Sequence, residues 1–358
     1  MLKVSIALAL VILLSGASCS KSAPSPNTDG GSGSATNPAQ DSSYHPSDPA
    51  TAASQGFFLD AWKARSLAAP QAVEGSVADG AATDSVTIDV NQVITKTPPY
   101  TFGANSNLWM GQVVTQANLM QYIKDLSPNI IRGPGGSISD VYFWNQAQAG
   151  PPDAPAELPD ANGAASQVTY WLGGNTAAWT FSLDNYYKLL SQTHSTGIIT
   201  INYGYARYGT STDPVAAAAH LAADWVREDK GRTHYWEIGN ENYGNWEAGY
   251  RINTQHNKDG QPEYITGSVY GQQFKVYADS MRAAAEQVGA TIHIGAVLYQ
   301  QPPASYDYAS IQTWNQGVLS QAGSTADFFI VHDYFTGYQT NSSVDDILKT
   351  GTSVPASV

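Results

Sequence analysis

At 358 residues, 42% of them apolar, the chain is long enough for one large domain or two ordinary ones. A formal net charge of −13, from 30 acidic residues against 17 Lys and Arg, repels phosphates and excludes a nucleic-acid-binding surface. Cys19 stands alone, which excludes an intrachain disulfide, while the 21 Tyr and 9 Trp suit a sugar-binding cleft and a large core equally.

The N-terminus reads as a targeting segment. Lys3 is its positive region, Ile6 to Leu14 a short apolar stretch, and Ser15-Gly16-Ala17-Ser18 the small residues that lead to Cys19. The apolar stretch is too short for a bilayer span, which takes about 20 residues. The arrangement resembles a bacterial lipoprotein signal, which implies export, cleavage before Cys19 and a lipid anchor on Cys19 that holds the protein to an outer membrane or cell surface. Gly16 stands where such signals usually carry leucine. Ordinary cleavage near Ala17, giving a periplasmic or secreted protein, is the alternative. Residues 20–84 read as a flexible linker, since Ser20 to about Ser54 is too poor in apolar residues to pack. A small apolar island lies near 56–62, and the folded domain is expected over 85–358.

From Ser85 the pattern becomes strand–helix. Val86-Thr87-Ile88-Asp89-Val90 alternates as a strand, and Thr101 to Asn105 is a second short one. A helix follows with Leu119, Tyr122, Ile123 and Leu126 on one face. Asn129-Ile130-Ile131-Arg132 is a strand that runs into Gly133-Pro134-Gly135-Gly136. After a long insertion, Ser182 caps a helix with Leu183, Tyr186, Tyr187 and Leu190 inward, and Gly197 stops it. Ile198 to Tyr203 is a strand. Asp213-Pro214 starts the next helix and Gly231 ends it. A strand over 234–239, a helix around 269–288 closed by Gly289, and a strand over 292–297 follow. The chain then shows a polar helix near 304–320, a strand over 327–332 and a helix beginning over 344–349.

Alternating strands and helices predict a parallel sheet, and strands apolar on both faces predict one covered on both sides. Polar, glycine-rich and aromatic residues gather after the strands' C-terminal ends, where (β/α)8 TIM barrels carry their active sites. A doubly wound open sheet is the competing fold. It calls for a phosphate-binding fingerprint, and Gly133-Pro134-Gly135-Gly136-Ser137 lacks the spacing and, at Pro134, an N–H.

The most informative stretch is Thr233 to Gly244, an apolar strand that reaches Gly239-Asn240-Glu241 and opens into aromatics and amides. A carboxyl at a strand mouth, preceded by an amide, suits a general acid for a glycosidic oxygen. Tyr243 and Trp246 offer flat faces to a sugar ring. Arg132-Gly133-Pro134-Gly135-Gly136, Trp236-Glu237-Ile238-Gly239-Asn240-Glu241 and Val331-His332-Asp333-Tyr334 together resemble the retaining glycoside hydrolases of clan A, most of all the family 51 α-L-arabinofuranosidases and their relatives in families 39 and 79. The resemblance covers about residues 100–336. It implies a (β/α)8 barrel with Glu241 as acid/base, Asn240 as ligand of the sugar 2-hydroxyl, Arg132 beneath the site, and His332 and Tyr334 beside the nucleophile. Asn202, Tyr203 and Trp246 are further candidate sugar contacts, Asn105 and Asn107 weaker ones, and Trp109, Trp144 and Trp171 candidate stacking faces. Glu237, two residues before Gly239 on the same strand face, is expected to pair with a basic group below the site.

That clan takes its nucleophile from a Glu at the end of strand 7. About six strand–helix units follow Thr101, and no Glu follows Glu286. The expectation is therefore a chain cut before strand 7, inactive as it stands, with its nucleophile beyond Val358. A protein of the same fold that binds sugar without cleaving it is the alternative, as are xylosidase, glucuronidase or endoglycanase activities. No cofactor or metal is expected: the 7 histidines are scattered, and Asn253, Asn257 and Asp259 lack the spacing of a calcium loop. G-x-S-x-G, the mark of a serine hydrolase, is absent. In a Gram-negative host the protein should partition with membranes and take up labelled fatty acid, and Cys19→Ser should abolish the label. Equal labelling of the variant, or a wholly soluble wild type, would rule out the lipoprotein.

Overall fold

The computed structural model describes residues 43–44, 67–68, 87, 99–305, 307–334 and 341–347. The signal segment with Cys19, the tether apart from residues 43–44 and 67–68, the island near 56–62 and the 86–90 strand except Thr87 lie outside the described residues. The chain divides into two compact units. In the first, 1–46 with 65–80, Ser43–Tyr44 pairs antiparallel with Leu67–Ala68.

The second unit, 47–64 with 81–358, carries a six-stranded parallel sheet. Its strands are β1 (Gly103–Asn105), β2 (Ile130–Gly133), β3 (Thr196–Ile201), β4 (Tyr235–Ile238), β5 (His293–Val297) and β6 (Phe328–Ile330). Each pairs with its neighbour in sequence, from β1 to β6 without a reversal. A doubly wound sheet must reverse its order at a switch point. Sequential order with parallel pairing is that of a (β/α)8 barrel, of which these strands form a partial turn. Between consecutive strands lie α1 (Ala117–Leu126), α2 (Leu183–Thr193), α3 (Pro214–Asp229), α4 (Gly267–Val288) and α5 (Trp314–Ala322).

Local chemistry sets these bounds. Ser182 Oγ accepts from Asn185 N at 3.3 Å, Asp213 Oδ1 from Ala216 N at 2.9 Å and Thr266 Oγ1 from Val269 N at 3.2 Å, each cap worth about 1 kcal/mol. Gly197 does not stop α2. The helix ends at Thr193 with His194 left-handed at φ 56, and Gly197 lies inside β3, where a Cβ would come within 2.8 Å of Leu190 Cδ1. Lys230, at φ 56, closes α3 just before Gly231. The expected polar helix is broken at Thr313 into Ala309–Gln312 and α5.

β4 is buried throughout and β3 from its second residue onward, as a covered parallel sheet requires. Helix tyrosines tie the layers together. Tyr186 donates to Ile131 O at 2.9 Å, and Tyr270 donates to Ile238 O at 2.6 Å while accepting from Val297 N at 3.0 Å. The expected inner face of α1 is corrected: Met120 is buried and Ile123 packs against the core, but Leu119, Tyr122 and Leu126 are exposed. Among the described residues, the 113–115 turn and α2 pack on α1, and they cover only its Met120 side.

Where α4 meets α5, the helices touch backbone to backbone. A Cβ on Gly317 would lie 2.4 Å from Ser268 N and 2.6 Å from Gly267 C. Replacing a helical Gly by Ala gains about 1 kcal/mol of propensity, and overpacking against backbone costs about 1–3 kcal/mol. Gly317→Ala should therefore lower the unfolding free energy in a urea titration. A stabilised variant would mean that the two helices separate freely.

Candidate active site

The C-terminal ends of β1, β2, β4 and β6 surround a cleft of about 580 Å³. β1 brings Asn105, Asn107 and Trp109 to it, β2 brings Arg132 and Ser137, β4 brings Asn240 and Glu241, and the segment after β6 brings His332, Asp333 and Tyr334. Two backbone features shape its centre. Gly239 sits at φ 82, where a Cβ would meet Asn242 Oδ1 at 2.0 Å, so only glycine fits. Glu241 itself sits at φ 44, a left-handed conformation that costs a side-chain-bearing residue energy.

Arg132 organises the floor. Its Nε donates to Glu237 Oε2 at 2.5 Å, an oxygen that also accepts from Thr200 Oγ1 at 2.9 Å. Its Nη2 donates to Asn240 Oδ1 at 3.0 Å. Asn240 Nδ2 in turn donates to Glu247 Oε1 at 2.9 Å, which also accepts from Ser137 Oγ at 2.7 Å. The Asn240 amide thus has a fixed orientation, with one N–H left for a ligand. Burial, and then the Asp140 charge, push the Glu247 carboxyl well above its usual range.

Both oxygens of Glu241 are engaged. His332 Nδ1 lies 2.7 Å from Oε1, and Trp246 Nε1 donates to Oε2 at 3.2 Å. Burial raises this carboxyl, but the hydrogen bond and charge of His332, the Trp246 N–H and the Arg132 charge together hold it below its usual value. In this environment Glu241 is a poised base and acceptor. A general acid at neutral pH needs the opposite shift.

Of the residues singled out from sequence, Arg132, Asn240, Glu241, His332 and Tyr334 come together in the cleft, with Asn105, Asn107 and Trp109. Trp246 stands 54% exposed and reaches the cleft through Glu241. Glu237 makes the expected ion pair, with Arg132 as the base. Asn202 and Tyr203 are corrected: neither lines the cleft. Asn202 Nδ2 donates to Tyr142 O at 3.0 Å and its Oδ1 accepts from Tyr205 N at 2.9 Å, while Tyr203 is wholly buried and donates to Gln273 Oε1 at 2.6 Å. The chain turns from β3 straight into a short helix, Gly204–Tyr208, and that turn folds both side chains inward. Trp144 is core, stacked on Trp225, and Trp171 packs edge-on against Trp109. Asn253 Oδ1 and Asn257 Oδ1 accept from N–H groups of their own loop.

Sequence reasoning missed Ser137, Asp140 and Asp333. The first two follow the glycines after β2, a position that marks a strand mouth as clearly as Gly239 does. Asp140 is completely buried. Its Oδ1 accepts from Tyr203 N at 3.1 Å and Gly204 N at 3.0 Å, and its Oδ2 from Asn240 N at 3.3 Å and Asn242 Nδ2 at 2.8 Å.

No protein-family model matches the chain, and no curated protein does. Structural similarity to α-L-arabinofuranosidases extends over about 72% of the chain. An α-L-arabinofuranosidase from Thermotoga maritima in complex with arabinose matches at 19% identity and TM-score 0.44, with 72% of this chain and 50% of that one covered. A family 51 α-L-arabinofuranosidase from Bifidobacterium longum matches at 16% identity and TM-score 0.44, covering 72% and 51%. A GH51 arabinofuranosidase from Xanthomonas axonopodis pv. citri matches at 16% identity and TM-score 0.38, covering 71% and 50%. The chain spans about half the length of these structures.

The depressed Glu241 carboxyl has a thermodynamic signature. Its folded value lies below the usual 4.5, so on acidification the unfolded state binds the proton first. The stabilisation is complete above that value and is lost as pH falls through the folded one. The stability of the wild type relative to Glu241→Gln should shrink as pH falls below about 4.5. A difference that stays level or grows below that pH would show that His332 and Trp246 do not hold the ionised form.

Proposed function

We propose that this unit carries the acid/base half of a retaining glycoside hydrolase that cleaves O-glycosyl bonds of a polysaccharide or oligosaccharide, with α-L-arabinofuranosidase-like specificity. The observation that carries the reading is the placement of Glu241. It stands at the C-terminal end of β4 in a polar cleft, beside an Asn240 whose amide Arg132 orients. The sugar preference rests on the resemblance of the Arg132, Asn240-Glu241 and His332 motifs.

In this reading Glu241 protonates the departing glycosidic oxygen while a second carboxylate, about 5–5.5 Å away, attacks the anomeric carbon. Glu241 then takes a proton from the water that hydrolyses the glycosyl-enzyme. The remaining N–H of Asn240 holds a ring hydroxyl, and Trp246 and Trp109 supply apolar faces. In the clan whose motifs these resemble, the second carboxylate comes from a Glu of a seventh strand. The sheet supports such completion: β1 is exposed along its length, with Phe102, Tyr122 and Leu126 exposed near it, and Phe329 and Val331 are exposed at β6. Two further strands would pair those edges and close the barrel. A carboxylate brought opposite Glu241 would also raise its pKa and make it the acid the first step requires. Export and a lipid anchor on Cys19 fit an enzyme that meets its polymer outside the cell.

A second reading, a sugar-binding protein without turnover, draws support from the His332 contact that keeps Glu241 ionised. The test is kinetic. Residues 1–358 alone should release no arabinose from an aryl α-L-arabinofuranoside, and the closed barrel should. There, Glu241→Ala should cost about 10²–10⁴-fold on substrates with poor leaving groups, less on activated aryl glycosides, and azide should restore deglycosylation. Near-wild-type hydrolysis of a natural oligosaccharide by Glu241→Ala would end the assignment. Binding without hydrolysis by the closed barrel would favour the second reading. A mechanism-based sugar label trapped on Asp333 would move the nucleophile to β6.

A further inference from the structure

Asp140 touches no part of the cleft surface, yet it joins three strand mouths. It follows β2, its Oδ1 takes two backbone N–H groups from the turn after β3, and its Oδ2 takes two donors from the segment after β4. The last two donors belong to Asn240 and Asn242, the residues on either side of Glu241. Between them the Glu241 backbone is held at φ 44. A non-glycine residue keeps such a conformation only where its surroundings over-determine it. The hydrogen bonds on its two flanks, both to one buried carboxyl, are that constraint.

We infer that Asp140 is a positioning residue for Glu241: it clamps both neighbours of Glu241 and so aims the Glu241 carboxylate at His332 and Trp246. Four donors and no acceptor face Asp140, an arrangement that favours the ionised form. Burial opposes it and pushes the carboxyl up to about 7. An asparagine in the same shape must turn its NH₂ toward either the Tyr203 and Gly204 N–H pair or the Asn240 and Asn242 donors. The catalytic meaning of the clamp rests on the function proposed above for Glu241. Its geometry does not.

The experiment reads Glu241 through the Trp246 indole N–H, which donates to it. The charged and titratable groups around Glu241 are His332, Asp333 and Tyr334 after β6, Arg132 on β2, Glu237 on β4, and Tyr243 and Glu247 on its own loop. None is altered in the variants. In the complete protein labelled with ¹⁵N-tryptophan, the Trp246 N–H resonance, assigned by its absence in Trp246→Phe, should show an acidic step. Asp140→Asn should abolish that step or move it up by about one pH unit. Asn242→Ala, which removes a single donor, should move it less and in the same direction. Asp229→Asn is the control for a merely structural acid: Asp229 is as buried and accepts from Tyr187 Oη and Thr233 N, each at 2.8 Å. It should lower the melting temperature and leave the step in place.

An unmoved step in folded Asp140→Asn overturns the inference, as does an equal shift in Asp229→Asn. If Asp140→Asn does not fold, an unmoved step in Asn242→Ala overturns it alone. In the active closed barrel, Asp140→Asn should lower kcat while KM changes little. A step that moves in a protein that hydrolyses no sugar sinks the glycosidase and keeps the clamp.

Discussion

Arg132 is a cation set beneath the cleft, its side chain 13% exposed, against a Glu237 carboxylate that is 5% exposed. A pair so poorly solvated is costly to assemble, and removing one partner costs about 3–5 kcal/mol because the other is left buried and uncompensated. What repays the desolvation is that the guanidinium has a second task. Glu237 fixes one edge of the fork, and the other edge is thereby aimed at Asn240. From there the order of donors runs on without choice through Glu247 to Ser137. One ion pair from β2 to β4 thus decides which hydrogen-bonding face the cleft presents. The same charge helps to hold Glu241 ionised.

The helices serve this arrangement indirectly. Parallel strands end in carbonyls and N–H groups that need partners once the sheet is covered. Here tyrosines from α2 and α4 reach those ends, so the strand mouths are fixed by side chains anchored a full layer away. The mouths hold their shape although β1 is exposed along its length. The apolar face of α1 and the exposure of β1 are local to one flank and leave β3, from its second residue onward, and β4 buried.

Much of this was legible from the chain alone, because a covered parallel sheet writes itself as short apolar runs and an active-site mouth as the polar residues that follow them. Glu241 was singled out by that rule, and Asn240, Arg132 and His332 by the resemblance of the motifs that hold them; the structure gathers all four in one cleft. The same rule misplaced Asn202 and Tyr203, since a residue just past a strand faces the cleft only if the chain continues upward, and here it turns at once into a helix. Asp140 was invisible for a different reason. Three of its four partners are backbone N–H groups, which every residue carries and no sequence marks. The stripe on α1 misled as well: its period marks one apolar face, of which Ile123 packs inward beside Met120 while Leu119, Tyr122 and Leu126 stand exposed.

The left-handed backbone at Glu241 sets chemistry against durability. A glutamate in that conformation carries about 1–3 kcal/mol of strain that Gly or Asn at the same position would largely escape. A library randomised at this codon and sorted on heat resistance alone should therefore enrich chains that have discarded the carboxylate.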